Sequence, residues 1–188
     1  MPEQIILRLN WVDIVCVVIL ARAVYIGLHH GIVIETFKLF GVFSAVVIAM
    51  HYFAAMTNFL HLPEDFGFFV SFVLMVAIII TVFKFIRDGV LVLIKVEAQS
   101  VFDKWGGFAI GIVRGILIAS LVVVGLRMTG HTDFLKKSQE ALTGDFFARQ
   151  APQIYEACFD GFISKFFPSE KLNKKAFTIG QKSEKKKP

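Results

Sequence analysis

Four long apolar blocks lie between Trp11 and Met128, and each is about as long as a helix that crosses a lipid bilayer. A bilayer core about 30 Å thick takes about 20 residues of helix. Backbone polar groups in lipid must be bonded within the segment, so these blocks form helices despite their valine and isoleucine content. The sequence therefore predicts an all-α integral membrane protein with four transmembrane helices, at about residues 11–28, 32–53, 66–86 and 105–126.

The first block is interpreted as a retained helix and not as a cleaved signal peptide. No Ala-x-Ala-like cleavage site follows it, and Asp13 and Arg22 interrupt it. Apolar residues make up 56% of the whole chain, against roughly 45–50% in soluble domains. This excess is typical of a protein that uses the lipid bilayer as its solvent.

The chain divides into a four-helix transmembrane domain, residues 1–130, and a carboxyl-terminal tail, residues 131–188. The short sequence His29-His30-Gly31 predicts a tight turn, which makes the first two spans a hairpin. The apolar run Val90–Ile94 could extend the third helix or lie in the membrane interface. Apolar residues at helical spacing predict an amphipathic tail helix at about 152–167, ending near Pro168, which could lie on the membrane or dock on the spans. Beyond Leu172 the chain is polar and lysine-rich, which predicts a disordered basic end.

Charged residues at membrane depth are costly and are candidates for a functional role. Arg114 lies near the middle of the fourth span, where an arginine costs roughly 2.5–3.5 kcal/mol to insert. We predict Glu35 as its partner, with Asp88 or Asp103 as alternatives, because an arginine–carboxylate pair offsets this cost. The pair could be structural, fixing the register of the helices, or functional. Lys38 follows Glu35 by one helical turn, and Arg22 is interpreted as snorkelling toward the interface.

Small residues recur at every fourth position of two predicted spans. The fourth span carries Gly107, Gly111, Gly115 and Ala119, and the second carries Gly41, Ala45 and Ala49. A bare helix face allows another helix to approach closely. We predict that these two faces pack on each other or make contacts between identical subunits.

Motifs of enzymes and cofactor sites are missing from the sequence. It has no Gly-x-Ser-x-Gly, P-loop, His-Glu-x-x-His or Gly-x-Gly-x-x-Gly. His29 and His30 are adjacent on a turn and lack accompanying carboxylates, and Cys16 and Cys158 are too far apart to indicate a metal site. We therefore expect no catalytic residue, no metal and no cofactor, and we expect no nucleic-acid partner.

The start of the fourth span carries the most specific motif. Asp103, Lys104, Gly107, Gly111 and Arg114-Gly115 form Asp-Lys-x-x-Gly-x-x-x-Gly-x-x-Arg-Gly. This motif resembles the signature of the colicin V production protein family, in which arginine stands at the second position. The early Asp13 and the pair Gly31 and Glu35 are similar to the family's pattern as well, with His30 where the family often has arginine. The resemblance covers about residues 10–130.

The resemblance implies a small multi-pass protein of the bacterial inner membrane, linked to colicin V production or export and to envelope maintenance. It supplies no biochemical activity. The residues carried over by the resemblance are Asp13, Gly31, Glu35, Asp103, Gly107, Gly111, Arg114 and Gly115.

The orientation follows from the cations near the spans, because cytoplasmic loops carry the excess of lysine and arginine. The turn after the first span and the linker after the third lie on one side, whose cations are Arg22, Lys38, Lys84, Arg87, Lys95 and Lys104. The opposite side has Arg8, Arg127, Lys136 and Lys137. This pattern predicts that both termini face the periplasm, although the lysines further along the tail favour the reverse.

Two functions agree with these features. The first is a non-enzymatic scaffold or accessory factor in the lipid bilayer, which contacts other envelope or secretion proteins through its tail and small-residue faces. The second is an oligomeric transporter or channel subunit built around Arg22, Glu35, Lys38 and Arg114. Four helices alone form a poor pore, so the second function requires a homo-oligomer.

Overall fold

The computed structural model describes residues 10–93, 101–129, 132–141, 143–166 and 170–178. Every regular element of this part of the chain is helical, which confirms the all-α prediction for the described residues. The helices are α1 (Trp11–Phe59), α2 (Glu64–Leu93), α3 (Val101–Met128), α4 (Thr132–Glu140), α5 (Gly144–Cys158), α6 (Ser164–Phe166) and α7 (Lys175–Thr178), with a π-helical turn at Phe159–Ile163 between α5 and α6.

Three of these helices, α1, α2 and α3, are long and apolar enough to cross a membrane. Their outer faces carry large apolar side chains that no other part of the described chain covers, among them Val17, Val18, Phe40, Ile78, Val82 and Phe85. Water-soluble monomers rarely expose contiguous apolar patches of this extent. Lipid is therefore the solvent that suits these faces.

Helix α1 reverses its direction at Gly31. Val12 packs in one cluster with Phe147 near the start of α5, whereas His51 Nδ1 lies 2.8 Å from the Tyr155 hydroxyl near its end. A straight helix would separate Val12 and His51 by about 58 Å, but Phe147 and Tyr155 are only about 12 Å apart along α5. The residues before and after Gly31 therefore form two antiparallel arms, residues 11–30 and 32–59.

Gly31 makes this reversal possible through its backbone conformation. Its φ of 73° and ψ of 172° interrupt the helix. This combination of angles is essentially restricted to glycine, because a Cβ atom collides with the neighbouring backbone. A one-residue connection can thus join two helical arms.

Helix α3 lies between the two arms and is the most buried of the three long helices. Its glycine face packs on the first arm: a Cβ at Gly111 would lie 2.9 Å from the Ala23 carbonyl oxygen, and one at Gly115 would lie 2.9 Å from Ala23 Cβ. The predicted pairing of this face with Gly41, Ala45 and Ala49 is therefore wrong. Those residues are in the second arm, which meets α3 through the larger side chains of Leu117, Leu121 and Val124.

Helix α2 packs antiparallel on the second arm. Gly41 faces the Phe83 side chain, and the rings of Phe53 and Phe68 meet edge to face at 5.6 Å. Near the connection, the Thr57 hydroxyl donates to the carbonyl oxygens of Phe53 and Gly67. Helix α2 continues to Leu93, so the apolar run after Gly89 extends the helix as far as the described residues reach.

The tail helix α5 begins at Gly144, eight residues before the predicted start at 152, and it docks on the spans. Its apolar side chains Phe147, Ala151 and Tyr155 are buried against α1 and α3. The Ser120 hydroxyl of α3 donates to the Phe147 carbonyl (2.6 Å) and accepts from the Ala151 N–H (2.8 Å). The Ser120 hydroxyl thus stands between two backbone groups of α5 that are one turn apart. It bridges the helix next to Pro152, which has no N–H to donate to the helix.

Residues 173–178 make specific contacts with the spans, in contrast to the disorder that was predicted beyond Leu172. The Asn173 side-chain amide donates to the carbonyl oxygens of Met50 (3.1 Å) and His51 (3.0 Å). Ala176 is buried in the main apolar cluster, and Phe177 packs against it. The polar composition of this stretch concealed a few contacts that hold it on the spans. Pro168 and the lysine-rich end after Thr178 lie outside the described residues.

Candidate functional site

The motif residues converge at the bend of α1, against the amino-terminal half of α3. Asp103 Oδ1 accepts a hydrogen bond of 2.6 Å from the backbone N–H of Ile32, the first residue of the second arm. The first amides of a helix lack partners within it, and their partial positive charge favours a carboxylate. Asp103 thus caps the second arm from another helix. A Cβ on Gly31 would collide with the same carboxylate, so Gly31 also provides the space for this cap.

A cluster of three charged side chains, of which Glu35 and Arg114 are buried and Lys38 is partly buried, lies one turn beyond this cap. Arg114 Nη1 is 3.0 Å from Glu35 Oε2, and Lys38 Nζ is 2.7 Å from Glu35 Oε1. Arg114 Nη2 also donates to the Ala23 carbonyl of the first arm at 3.3 Å. The predicted partner of Arg114 is thus in place, and the arginine connects both arms to α3. We call Glu35, Lys38 and Arg114 the clasp.

The ion pair of the clasp, Glu35 with Arg114, is almost wholly shielded from solvent, and Lys38 is partly exposed. Glu35 is 0% exposed and Arg114 is 6% exposed. One carboxylate stands opposite two cations, so the clasp has an excess of positive charge. Among the described residues, Glu35 Oε2 and Arg114 Nε have no hydrogen-bond partner of good geometry, and the pair meets through a single guanidinium nitrogen and not as a two-bonded fork. The ion pair at Oε2 is therefore electrostatic more than directional.

Close contact between two backbones brings the clasp together. Cβ atoms added to Gly27 or Gly107 would overlap the carbonyl oxygen of the other residue. Along the first arm, Ala23, Gly27 and Gly31 recur at every fourth position and match Gly107, Gly111 and Gly115 of α3. This complementary stripe in the first arm is a sequence signal for the contact, and it was not part of the prediction.

Asp13 lies at the opposite end of the molecule and does not join the clasp. Its Oδ1 accepts from the backbone N–H (2.9 Å) and the hydroxyl (2.6 Å) of Thr143, the residue that precedes α5. The neighbouring Asn10 side chain donates to the Lys137 carbonyl at 2.7 Å. The first turn of α1 thus fixes the start of the tail helix.

Two other candidates face outward. Arg22 and Lys104 are exposed, so neither belongs to the buried charge cluster. His30, which stands where the resemblance suggested arginine, is also exposed, and its Nδ1 lies 3.0 Å from the Ile26 carbonyl within the first arm. The predicted cluster of four charged residues is therefore reduced to the three of the clasp.

A second, partly buried polar group, which was not among the residues predicted from the sequence, centres on His51 in the second arm. Its two ring nitrogens contact the Tyr155 hydroxyl (2.8 Å) and Glu170 Oε2 (3.1 Å). An ionisable residue inside a predicted span was the signal that could have revealed it. The clasp and the His51 group occupy opposite ends of the second arm.

The clasp can form ion pairs and hold neighbouring helices together. Both cations of the clasp are bonded to Glu35, which itself lacks a neighbouring hydroxyl or thiol among the described contacts. The chemistry that the geometry supports is thus electrostatic: holding the two arms on α3, or exchanging Glu35's cationic partners.

In a comparison with protein families, residues 12–152 match the family described as "Colicin V production protein". That stretch includes the bend, the clasp, the Asp13–Thr143 contact and the first half of α5. Comparisons with curated proteins and with solved structures give no match.

Proposed function

The chain belongs to the colicin V production protein family, and from this membership we propose that it is a non-enzymatic accessory protein of the bacterial inner membrane. It supports colicin V production or export and envelope homeostasis by binding other envelope proteins. Its spans hold the tail helix α5 at one end of the membrane domain, and α5 presents the binding surface.

The observation that carries this proposal is the two-faced packing of α5. One face is buried against α1 and α3, and the other exposes Asp145, Arg149, Gln153 and Glu156. Asp145 is paired with Arg127 of α3 at 2.7 Å, which further fixes the helix. A polar face held in a defined position loses little conformational entropy when a partner binds. We call Arg149, Gln153 and Glu156 the outer face of α5.

We propose that the two arms of α1 cross the membrane separately, which makes four crossings with α2 and α3. Each arm reaches the length of about 20 residues that one crossing needs. Both termini then lie on one side, and the charge pattern of the loops near the spans favours the periplasm. The exposed lysines of the docked tail lie on this same side and favour the cytoplasm instead. The orientation is therefore best decided by a direct measurement.

Labelling of single cysteines tests the orientation of the chain and the crossing of the membrane by α3. After replacement of Cys16 and Cys158 by serine, Lys104→Cys and Lys171→Cys each place one thiol at an exposed position, at opposite ends of the spans. A membrane-impermeant maleimide added to intact spheroplasts should label Lys171→Cys and leave Lys104→Cys unlabelled. The reverse result would overturn the periplasmic orientation, and equal labelling in lysed vesicles is the control. Labelling of both or neither in spheroplasts would contradict a crossing by α3, which the four crossings require.

Complementation tests the proposed function. In a colicin V-producing strain that lacks this protein, the triple variant Arg149→Ala, Gln153→Ala, Glu156→Ala should lose most of the rescue of colicin release and of detergent resistance. These side chains are exposed, so the fold and the membrane level of the variant should match the wild type. Lys84→Ala, an exposed change near the other end of the spans, is the matched control and should rescue fully.

A crosslinking experiment on the same strains gives the second readout. Wild-type protein should form adducts with other envelope proteins, and the triple variant should lose them. Full rescue by the triple variant at equal membrane levels would contradict the proposed binding role of α5.

The alternative is an oligomeric transporter or channel subunit. The observation in its favour is the clasp, where a buried carboxylate and guanidinium each retain an atom without a hydrogen-bond partner among the described residues. Intramembrane ionisable residues often mark ion or proton pathways. Flux through proteoliposomes that Glu35→Gln abolishes when equal amounts of folded protein are compared, combined with full rescue by the α5 triple variant, would favour this function over the first.

A further inference from the structure

Residues 170–178 return to the spans and lie across the end of the second arm. Leu172 and Phe177 pack against the main apolar cluster, and Ala176 is buried within it. The Asn173 side-chain amide donates to two backbone carbonyl oxygens of the second arm, at 3.1 and 3.0 Å. These contacts fix the backbone of the stretch on the spans. We call residues 170–178 the strap.

The outward face of the strap is strongly basic. Lys171, Lys174 and Lys175 are all exposed. Glu170 is the single acidic residue in the sequence of the strap, and its Oε2 lies 3.1 Å from His51 Nε2. Three lysines against one glutamate leave a net charge of +2 in nine residues. Because the apolar side chains hold the backbone, the ammonium groups extend from a defined position on the protein.

The strap lies at the level where the spans leave the lipid. Asn173 bonds to the backbone of the second arm just before Tyr52, which is 44% exposed, and tyrosine is enriched where lipid meets water. Lys175 Nζ lies 5.1 Å from the centre of the Phe68 ring in α2. Phe68 follows Asp65, the last charged residue before the apolar stretch of α2, by three residues, which is about 4.5 Å along a helix. A lysine side chain spans this distance to the head groups by snorkelling.

The strap brings positive charge to a part of the membrane edge that has no lysine or arginine of its own. Residues 39–83 form most of the second arm, the connection and most of α2, and their sequence contains neither residue type. Their charged residues are the acids Glu64 and Asp65, at the same end as the strap. Negatively charged head groups are repelled by these two carboxylates and attracted by the lysines of the strap. The strap therefore decides the sign of the charge that this edge presents to lipid.

We propose that the docked strap binds anionic phospholipid head groups through Lys171, Lys174 and Lys175, and that such lipids in turn stabilise the docked strap. One lysine near an anionic membrane surface gains roughly fivefold in binding. The gain fades within a Debye length, about 10 Å at 0.1 M salt. Docking holds the three ammonium groups at the membrane edge, whereas lysines of a released strap also sample water beyond this distance. Released lysines stay tethered near the surface and keep part of the attraction, so the net effect on docking is about three- to tenfold.

Hydrogen exchange of the full chain in nanodiscs tests this binding. The strap amides are compared in discs of phosphatidylcholine and in discs that also contain phosphatidylglycerol, at low ionic strength. An anionic surface lowers the local pH and slows intrinsic exchange in every variant, so the slowing in wild-type protein is divided by the slowing in the variant Lys171→Gln, Lys174→Gln, Lys175→Gln. We expect this quotient to be about three- to tenfold, whatever the absolute rates of the variant. High salt should abolish it.

The matched control keeps the three charges: Lys171→Arg, Lys174→Arg, Lys175→Arg should respond to phosphatidylglycerol as the wild type does. Inorganic phosphate added to phosphatidylcholine discs should leave strap exchange unchanged, which separates lipid head groups from free anions. Equal slowing in wild type and glutamine variant would overturn the proposal, as would loss of the response in the arginine variant or equal protection by free phosphate. The experiment alters no residue of the outer face of α5 and needs no cellular assay, so its failure is distinct from failure of the proposed function.

Discussion

Replacing Gly107 by alanine should destabilise the protein by about 3 kcal/mol or more, at the upper end of the range for overpacked sites. The added Cβ would overlap the Gly27 carbonyl oxygen, and both contacting groups are backbone, so no side chain can rotate away. The first arm and α3 must then separate along the whole glycine stripe. Thermal unfolding of the detergent-purified protein should show this loss of stability. The readout is the fraction of protein that remains monodisperse after heating.

Gly89→Ala is the matched control, because a Cβ at Gly89 meets nothing within 4 Å. Alanine is favoured over glycine inside a helix by about 1 kcal/mol, so propensity alone predicts a gain at both positions. If Gly107→Ala loses stability and Gly89→Ala does not, the difference therefore reflects the close approach of the helices at Gly107. Equal behaviour of the two variants would contradict the packing of α3 on the first arm.

Glu35→Gln should be the most damaging change within the clasp and cost about 3–5 kcal/mol. The amide leaves Arg114 and Lys38 near each other in a buried site with no counter-charge. Arg114→Leu should cost less, because the Glu35–Lys38 pair remains and the insertion cost of a buried arginine disappears. The unfolding free energies of the two variants in the same micelles should therefore differ, with Glu35→Gln the lower.

The double variant Glu35→Gln, Arg114→Leu should be more stable than Glu35→Gln alone, since it removes one of the two unbalanced cations. Asp88→Asn breaks the half-exposed ion pair with Arg87 and serves as the control, with an expected change of about 0–1 kcal/mol. If Arg114→Leu were as damaging as Glu35→Gln, the carboxylate would not be the centre of charge balance in the clasp.

Several features of the fold follow from short stretches of sequence. The length and apolarity of each block require helices in lipid, since no other backbone arrangement satisfies its own hydrogen bonds there. A lone arginine at mid-span requires a nearby carboxylate, and Glu35, which follows the Gly31 turn by four residues, was the best placed. The spacing of Gly107, Gly111 and Gly115 marks a helix face that another helix approaches closely.

The tertiary structure alone decided which surfaces meet. The glycine face of α3 selects the first arm because Ala23 and Gly27 are complementary to it, whereas spacing within α3 says only that the face is bare. Asp103 caps the second arm, and Asp13 holds the start of α5 from 130 residues away in sequence. Residues 170–178 are held on the spans by Tyr155 and His51, although their own composition is polar. Helical periodicity is encoded in consecutive residues, but the choice of partner depends on matching shape and charge between distant segments, and these become neighbours only when the chain has folded.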